Sequence, residues 1–254
     1  MVEPARLEPE AKQLAEAIAP QMISFIIPAH NEERWLGRSI SAIRNALEPA
    51  DEPYEIIVVD DTSSDTTAQV AIAHGAHLVQ VAHRQIAAAR NSGAREAKGD
   101  RFFFIDADTL ANRKAIQAAL RAMQEGAVGG GCMFTFDGTV PLWARLLHPL
   151  ALMLSRPLKV VGGCFLFCTR DAYETVGGFC ERYYWSEELV FIKALKRQGR
   201  FVVPKQTVET SARKLHLISV WEVPSVLFRW RFRYHRRDGL DLYYGKRSED
   251  CKRP

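Results

Sequence analysis

The chain has few of the features that would assign it to a specialised class. Its five cysteines, Cys132, Cys164, Cys168, Cys180 and Cys251, are an odd number and contain no Cys-x-x-Cys pair. That spacing supports neither a zinc site nor a disulfide framework, and it makes a reducing cytosol the default expectation. No run of ~18 apolar residues occurs, so no segment is expected to span a bilayer. Residues 1–20 carry several acidic side chains and no long apolar core, so a signal peptide is not expected. Charge of one sign is lacking as well. With 34 Lys and Arg against 30 Asp and Glu, the formal net charge of +4 is too small an excess to indicate nucleic-acid binding. What remains is ordinary globular composition, 47% hydrophobic and 25% charged, and 254 residues are enough for one α/β domain with a large core.

The first half alternates strand and helix patterns. Residues 22–27 read as a strand ended by Pro28, since proline donates nothing to a sheet ladder. Trp35, Leu36, Ile40, Ile43 and Leu47 have helical spacing. Residues 55–59 form a second apolar strand, after which Ser64 or Asp65 is placed to cap a helix reaching about His74. A short strand over 78–81 and a helix from about Gln85 to Ala97 follow, and the apolar run 101–105 then ends at Asp106. Repeated units of this size predict a mainly parallel sheet with its strand C-termini along one edge, where open α/β sheets bind ligands.

Polar residues gather at those ends. Asp106-Ala107-Asp108 puts two carboxylates one residue apart, on a shared face as the strand enters its loop. Such a pair alone also fits a solvated turn or a helix cap. Its place beside two further acidic strand ends favours a site for Mg²⁺ or Mn²⁺ against a nucleotide's phosphates. Asp60 and Asp61 close the second strand, where a carboxylate can accept from a base N–H or ribose hydroxyls, while Ser63, Ser64 and Asp65 are better explained as caps. The first strand end, Pro28-Ala29-His30-Asn31-Glu32, offers a further carboxylate in Glu32. Arg90, within the small-residue segment 87–93, can reach a diphosphate or pair with one of the aspartates.

Phe25-Ile26-Ile27-Pro28-Ala29-His30-Asn31-Glu32, Ile57 to Asp65, Ala89-Arg90-Asn91-Ser92-Gly93 and Phe104 to Asp108 together resemble the successive motifs of family 2 glycosyltransferases. The resemblance covers roughly residues 22–203 in the right order, which is more specific than any single motif. It implies an α/β architecture, the Rossmann-like GT-A fold, with a mixed, mainly parallel sheet flanked by helices. It implies a nucleotide-sugar donor, most commonly a UDP-sugar, a divalent cation and inversion at the anomeric carbon. On that basis Pro28, Ala29, Asn31, Glu32, Arg90, Asp106 and Ala107 line the nucleotide site, Asp60 or Asp61 holds the base, and Asp106 and Asp108 are the metal ligands.

The expected layout is an N-terminal extension (1–21), a catalytic domain (22–208) with a donor half (22–110) and an acceptor half (111–208), and a C-terminal loop and amphipathic helix (209–254). In the acceptor half, Gly162 and Gly163 open a strand-like run over 161–167 and let backbone approach a sugar, which makes Gly163 an acceptor candidate. Tyr183-Tyr184-Trp185-Ser186-Glu187-Glu188 then leads into a helix ending near Gly199. Ser186 and the two glutamates suit ordinary helix initiation. The resemblance instead makes one glutamate the general base. Family members carry Glu-Asp here, and aligned on Gly199, Glu188 takes the place of the Asp, with Glu187 as the alternative because Glu is one methylene longer. A carboxylate in reach of the acceptor O–H can take its proton. Tyr184 and Trp185 fit either stacking on a sugar or core packing. Arg213 and Lys214, beside Thr210 and Ser211, fit a loop closing on the diphosphate or a solvated basic loop.

Residues 219–237 interleave aromatic and aliphatic residues with arginines. Three roles suit them: peripheral contact with anionic lipid at the inner face of the membrane, a helix packed on the domain, or a homodimer contact. An apolar helix over 141–154 is too short to span and is placed to receive a lipid-linked acceptor. Rival classes fit less well. A haloacid-dehalogenase-type phosphatase has Asp-x-Asp-x-Thr near the domain start, whereas here Thr109 directly follows Asp108 after three strand–helix units. A nucleotidyltransferase needs a Gly-rich loop where Pro28-Ala29-His30-Asn31 stands. A sugar-nucleotide-binding or membrane-adaptor protein without transferase activity stays the non-enzymatic alternative.

Overall fold

A computed structural model describes residues 22–48, 52–159, 161–184 and 187–213. The N-terminal extension, Trp185, Ser186, Lys214 and residues 219–237 lie outside the described residues. Apolar runs rich in Ile, Val and Phe form β1 (Ile23–Ala29), β2 (Tyr54–Asp61), β3 (His77–Val81) and β4 (Arg101–Ile105). Between them lie α1 (Leu36–Leu47), α2 (Thr67–Ala73) and α3 (Ile86–Glu96). β1 pairs in parallel with β2 on one side and β4 on the other, and β2 pairs in parallel with β3.

Alternation along the strands divides the core in two, as the period of two requires. Ile23, Phe25 and Ile27 pack with Leu36, Ile40 and Ile43 of α1 on one face. Ile26, Ile57, Val59, Phe102 and Phe104 meet Ala87, Ala89 and Ala94 of α3 on the other. Small side chains on α3 bring it close: a Cβ at Gly93 would sit 2.5 Å from Ile26 and 2.8 Å from Val59.

The second half adds β5 (Thr109–Leu110), α4 (Arg113–Gln124), β6 (Gly129–Gly131), β7 (Met133–Asp137) and α5 (Leu142–Leu158). Then come β8 (Phe165–Thr169), α6 (Arg170–Val176), α7 (Glu187–Gln198), β9 (Phe201–Val202) and β10 (Thr207–Ser211). β8 runs antiparallel between β4 and β6, and β9 lies parallel to β6, giving the order β3-β2-β1-β4-β8-β6-β9. The mixed, mainly parallel sheet flanked by helices is the expected one. A second sheet, β5-β10-β7, lies beyond it.

Three local expectations change. Pro28 does not end β1, which runs on to Ala29 against Asp60. Pairing with β4 stops at Ile26, so past that point β1 has one partner strand and a missing N–H is tolerated. The strand expected over 161–167 begins at Phe165, leaving Gly162 and Gly163 in the approach to it. Thr210 and Ser211 are not in a loop but in β10, which runs across residue 208, where the catalytic domain was expected to end. None of the described helices is long and apolar enough to cross a membrane.

Strand order reverses beside β1, with β2 and β3 to one side and β4 to the other. The crevice outside the carboxyl ends of β1 and β4 is therefore where this topology leaves room for a ligand.

Candidate active site

A cleft open to solvent occupies that crevice and is lined by Pro28, Ala29, His30, Glu32, Asp61, Ile86, Ala89, Asp106, Ala107 and Asp108. Two loops build one wall. Asn31, in the left-handed region at φ 54°, accepts from the Ser64 amide at 2.8 Å, and its own amide donates to the Ser63 hydroxyl at 2.9 Å. The Glu32 amide donates to Thr67 Oγ1 at 2.7 Å, and Glu33 accepts from the Thr66 hydroxyl at 2.7 Å. Hydrogen bonds to Thr66 hold the Glu33 carboxyl below its ordinary pKa. Asn31 thus fastens the loops after β1 and β2 to each other and does not line the cleft.

Asp60 and Asp61 have separate tasks. Asp60 accepts from the Ser63 amide at 3.1 Å and shapes its own turn. Asp61, buried at the end of β2, accepts from the amides of His83 and Arg84 at 2.8 Å on one oxygen and from Gln85 at 2.9 Å on the other. Asp61 thus organises the loop before α3 and also lines the cleft.

Each aspartate of the Asp106–Asp108 pair meets a different arginine. Arg90, 1% exposed, donates to Asp106 Oδ1 at 3.0 Å, to the Gly163 carbonyl at 3.1 Å and to Glu187 Oε1 at 2.8 Å. Its guanidinium also lies 5.1 Å from the centre of the Phe179 ring. Arg213 pairs with Glu32 and, at 3.0 Å, with Asp108 Oδ2, over the ring of Trp35. Burial works against the charge on Arg213, but the hydrogen bond to Glu32 and the Asp108 carboxylate raise its pKa overall. Backbone fixes the pair too: the Asp106 amide donates to the Cys164 carbonyl at 3.1 Å, and the Asp108 carbonyl accepts from Ser211 at 3.2 Å.

Asn91, next to Arg90, uses all of its amide capacity. It donates to the Phe179 carbonyl and Glu181 Oε1 at 2.9 and 2.8 Å and accepts from the Tyr173 hydroxyl and the Phe179 amide at 2.8 and 2.9 Å. Asn91 therefore tethers α3 to the turn that leads to α7. At the start of α7, Glu187 is buried against Arg90 while Glu188 is partly exposed. Burial raises the Glu187 carboxyl pKa. Burial, reinforced by the Glu187 charge, pushes Glu188 up to about 8. A Cβ at Gly163 would sit 3.1 Å from Arg90 and 3.4 Å from Glu188, so a side chain there would press on both.

The residues expected from sequence thus fall into groups. Pro28, Ala29, Glu32, Asp61, Asp106, Ala107 and Asp108 share the cleft. Arg90 sits behind it, joining Asp106 to Glu187, with Glu188 and Gly163 adjacent. Arg213 caps Asp108. Tyr184 is half-buried. Sequence reasoning gave no role to Asn91, Gln85 or Trp35, although Asn91 lies inside a motif it singled out.

A family model described as glycosyl transferase family 2 matches residues 24–177. A dolichol-phosphate mannosyltransferase of Pyrococcus furiosus is 32% identical over 163 residues, 62% of this chain and 45% of the relative. The chain therefore spans less than half the length of that curated relative. Among solved structures, the mannosyltransferase PcManGT from Pyrobaculum calidifontis, in complex with GDP-Man and Mn²⁺, aligns with a TM-score of 0.60 at 19% identity over 95% of this chain and 76% of that one. TarS 1-349 of S. aureus in complex with UDP aligns with a TM-score of 0.57 at 19% identity over 75% and 60%. At these identities the structural likeness establishes the GT-A fold.

Proposed function

We propose that this chain, which belongs to glycosyl transferase family 2, moves a sugar from a nucleotide-sugar donor to an acceptor hydroxyl with inversion, using Glu188 as general base. The observation that carries this reading is the linkage of Asp106, at the cleft, through buried Arg90 to the Glu187–Glu188 helix start. The cleft's polar lining at the strand ends suits a nucleoside diphosphate. Asp61 or Asp60 offers an acceptor for a base N–H. GDP-Man and UDP in the two structural neighbours support that ligand class.

Asp106 and Asp108 suit a divalent cation, Mg²⁺ or Mn²⁺, as hard oxygen donors. Among the described residues no cluster of three or more His, Cys, Asp and Glu side chains is arranged to hold a metal. When bound, such an ion stabilises negative charge on the departing diphosphate. Mn²⁺ in PcManGT supports this choice.

The chain's own residues supply the rest. Arg90 keeps Asp106 aimed at the cleft and holds Glu187 in an ion pair, so that Glu188 is the carboxylate left to take the acceptor proton as the new C–O bond forms. Attack then comes from the face opposite the diphosphate. Arg213 leaves Asp108 when donor enters and pairs with the diphosphate instead. Thermal-shift titration against UDP-, GDP- and dTDP-sugars with Mn²⁺ tests the donor site. One nucleotide class should raise the apparent stability in proportion to its occupancy, and no shift with any of them would count against the reading.

A further inference from the structure

Helix α5 carries a surface that the domain leaves uncovered. Of the five large apolar side chains that are exposed among the described residues, four belong to it: Leu142 (70% exposed), Leu146 (70%), Met153 (64%) and Leu158 (67%). Leu142, Leu146, Pro149 and Met153 follow the spacing of one helical face and form a line along the outer side. Ala144 and Leu152 turn toward the domain. Exposed Arg145 and Arg156 lie along one side of the line, Arg156 also donating to the Lys205 carbonyl at 2.6 Å, and Lys159 stands at its C-terminal end. From Gly138 to Gly163 the chain has no Asp or Glu.

We propose that this face of α5 docks on an anionic lipid bilayer, with Leu142, Leu146 and Met153 in the headgroup boundary and the cations against lipid phosphates. Charge decides among the occupants. A second copy of the chain would set Arg145 and Arg156 of one molecule against those of the other. Residues 219–237 bring five arginines and a single Glu222, so they too are repelled by this face. An anionic bilayer complements both its apolar line and its charge. The inference does not depend on the reaction assigned to the cleft.

Co-sedimentation of the full chain with phosphatidylcholine vesicles, with and without phosphatidylglycerol, tests it. Binding should require phosphatidylglycerol and weaken with salt. L142E/L146E/M153E should lower the partition coefficient about a hundredfold, since three apolar anchors are lost and three repulsive charges gained. R145Q/R156Q, which alters no apolar side chain, should lower it about tenfold or more. Equal binding to neutral vesicles, or unchanged binding of both variants, would overturn the proposal. So would a wild-type dimer in sedimentation velocity that the triple variant dissolves.

Discussion

Arg90 and Arg213 each tie one aspartate of the Asp106–Asp108 pair to one glutamate, yet they differ in how firmly they hold. Arg90 comes from inside α3, is enclosed, and is fixed by two carboxylates, a carbonyl and the Phe179 ring. Arg213 follows β10, and a third of its side chain is exposed. The floor of the site is therefore preset by a buried network, whereas its rim is held by a contact that solvent can compete for. Asp106 is thus held by an enclosed arginine and Asp108 by a partly exposed one.

The largest effect should come from breaking the floor. Arg90→Met leaves Glu187 buried without its cation and should cost about 3–5 kcal/mol in urea unfolding. Asp61→Ala strips the acceptor from three backbone N–H groups at residues 83–85 and should cost about 3 kcal/mol by the same measurement, with weaker nucleotide binding. A pH profile probes the glutamate pair. A base whose pKa is raised to about 8 is protonated below that pH, so kcat/KM should fall as pH drops through it. Glu187→Gln removes the like charge and should move that acid limb down by about one unit. The smallest effect should follow change at the rim: Arg213→Ala should alter stability by less than about 1 kcal/mol. If Arg213→Ala proved as destabilising as Arg90→Met, the contrast between floor and rim would be lost.

Residues 22–110 were legible in the sequence because their strands are apolar runs and their helices have clean spacing. The Asp106–Asp108 pair, Glu32 and Asp61 gathered as expected, since parallel strands bring their C-termini to one edge. Residues 111–208 were less legible for physical reasons. β6 is three glycines, with no pattern to read, because a Cβ at Gly130 would lie 2.1 Å from the Val202 carbonyl and 2.3 Å from Phe167. β5 and β9 are two residues long and exist through pairing alone. Arg213 meets Glu32 across 181 positions, and no local rule gives that contact. Asn91 stood in a recognised motif, but its four partners come from elements that only the fold assembles.

One cleft should bind a nucleotide sugar, and Glu188 should complete transfer from it. The most direct measurement is the Mn²⁺-dependent turnover of the nucleotide sugar found by thermal shift, in wild type, Asp108→Asn and Glu188→Gln, alongside donor affinity for each. Asp108→Asn should lose both affinity and turnover, while Glu188→Gln should keep the affinity and lose turnover by at least about a hundredfold. Turnover by Glu188→Gln at the wild-type rate would contradict it.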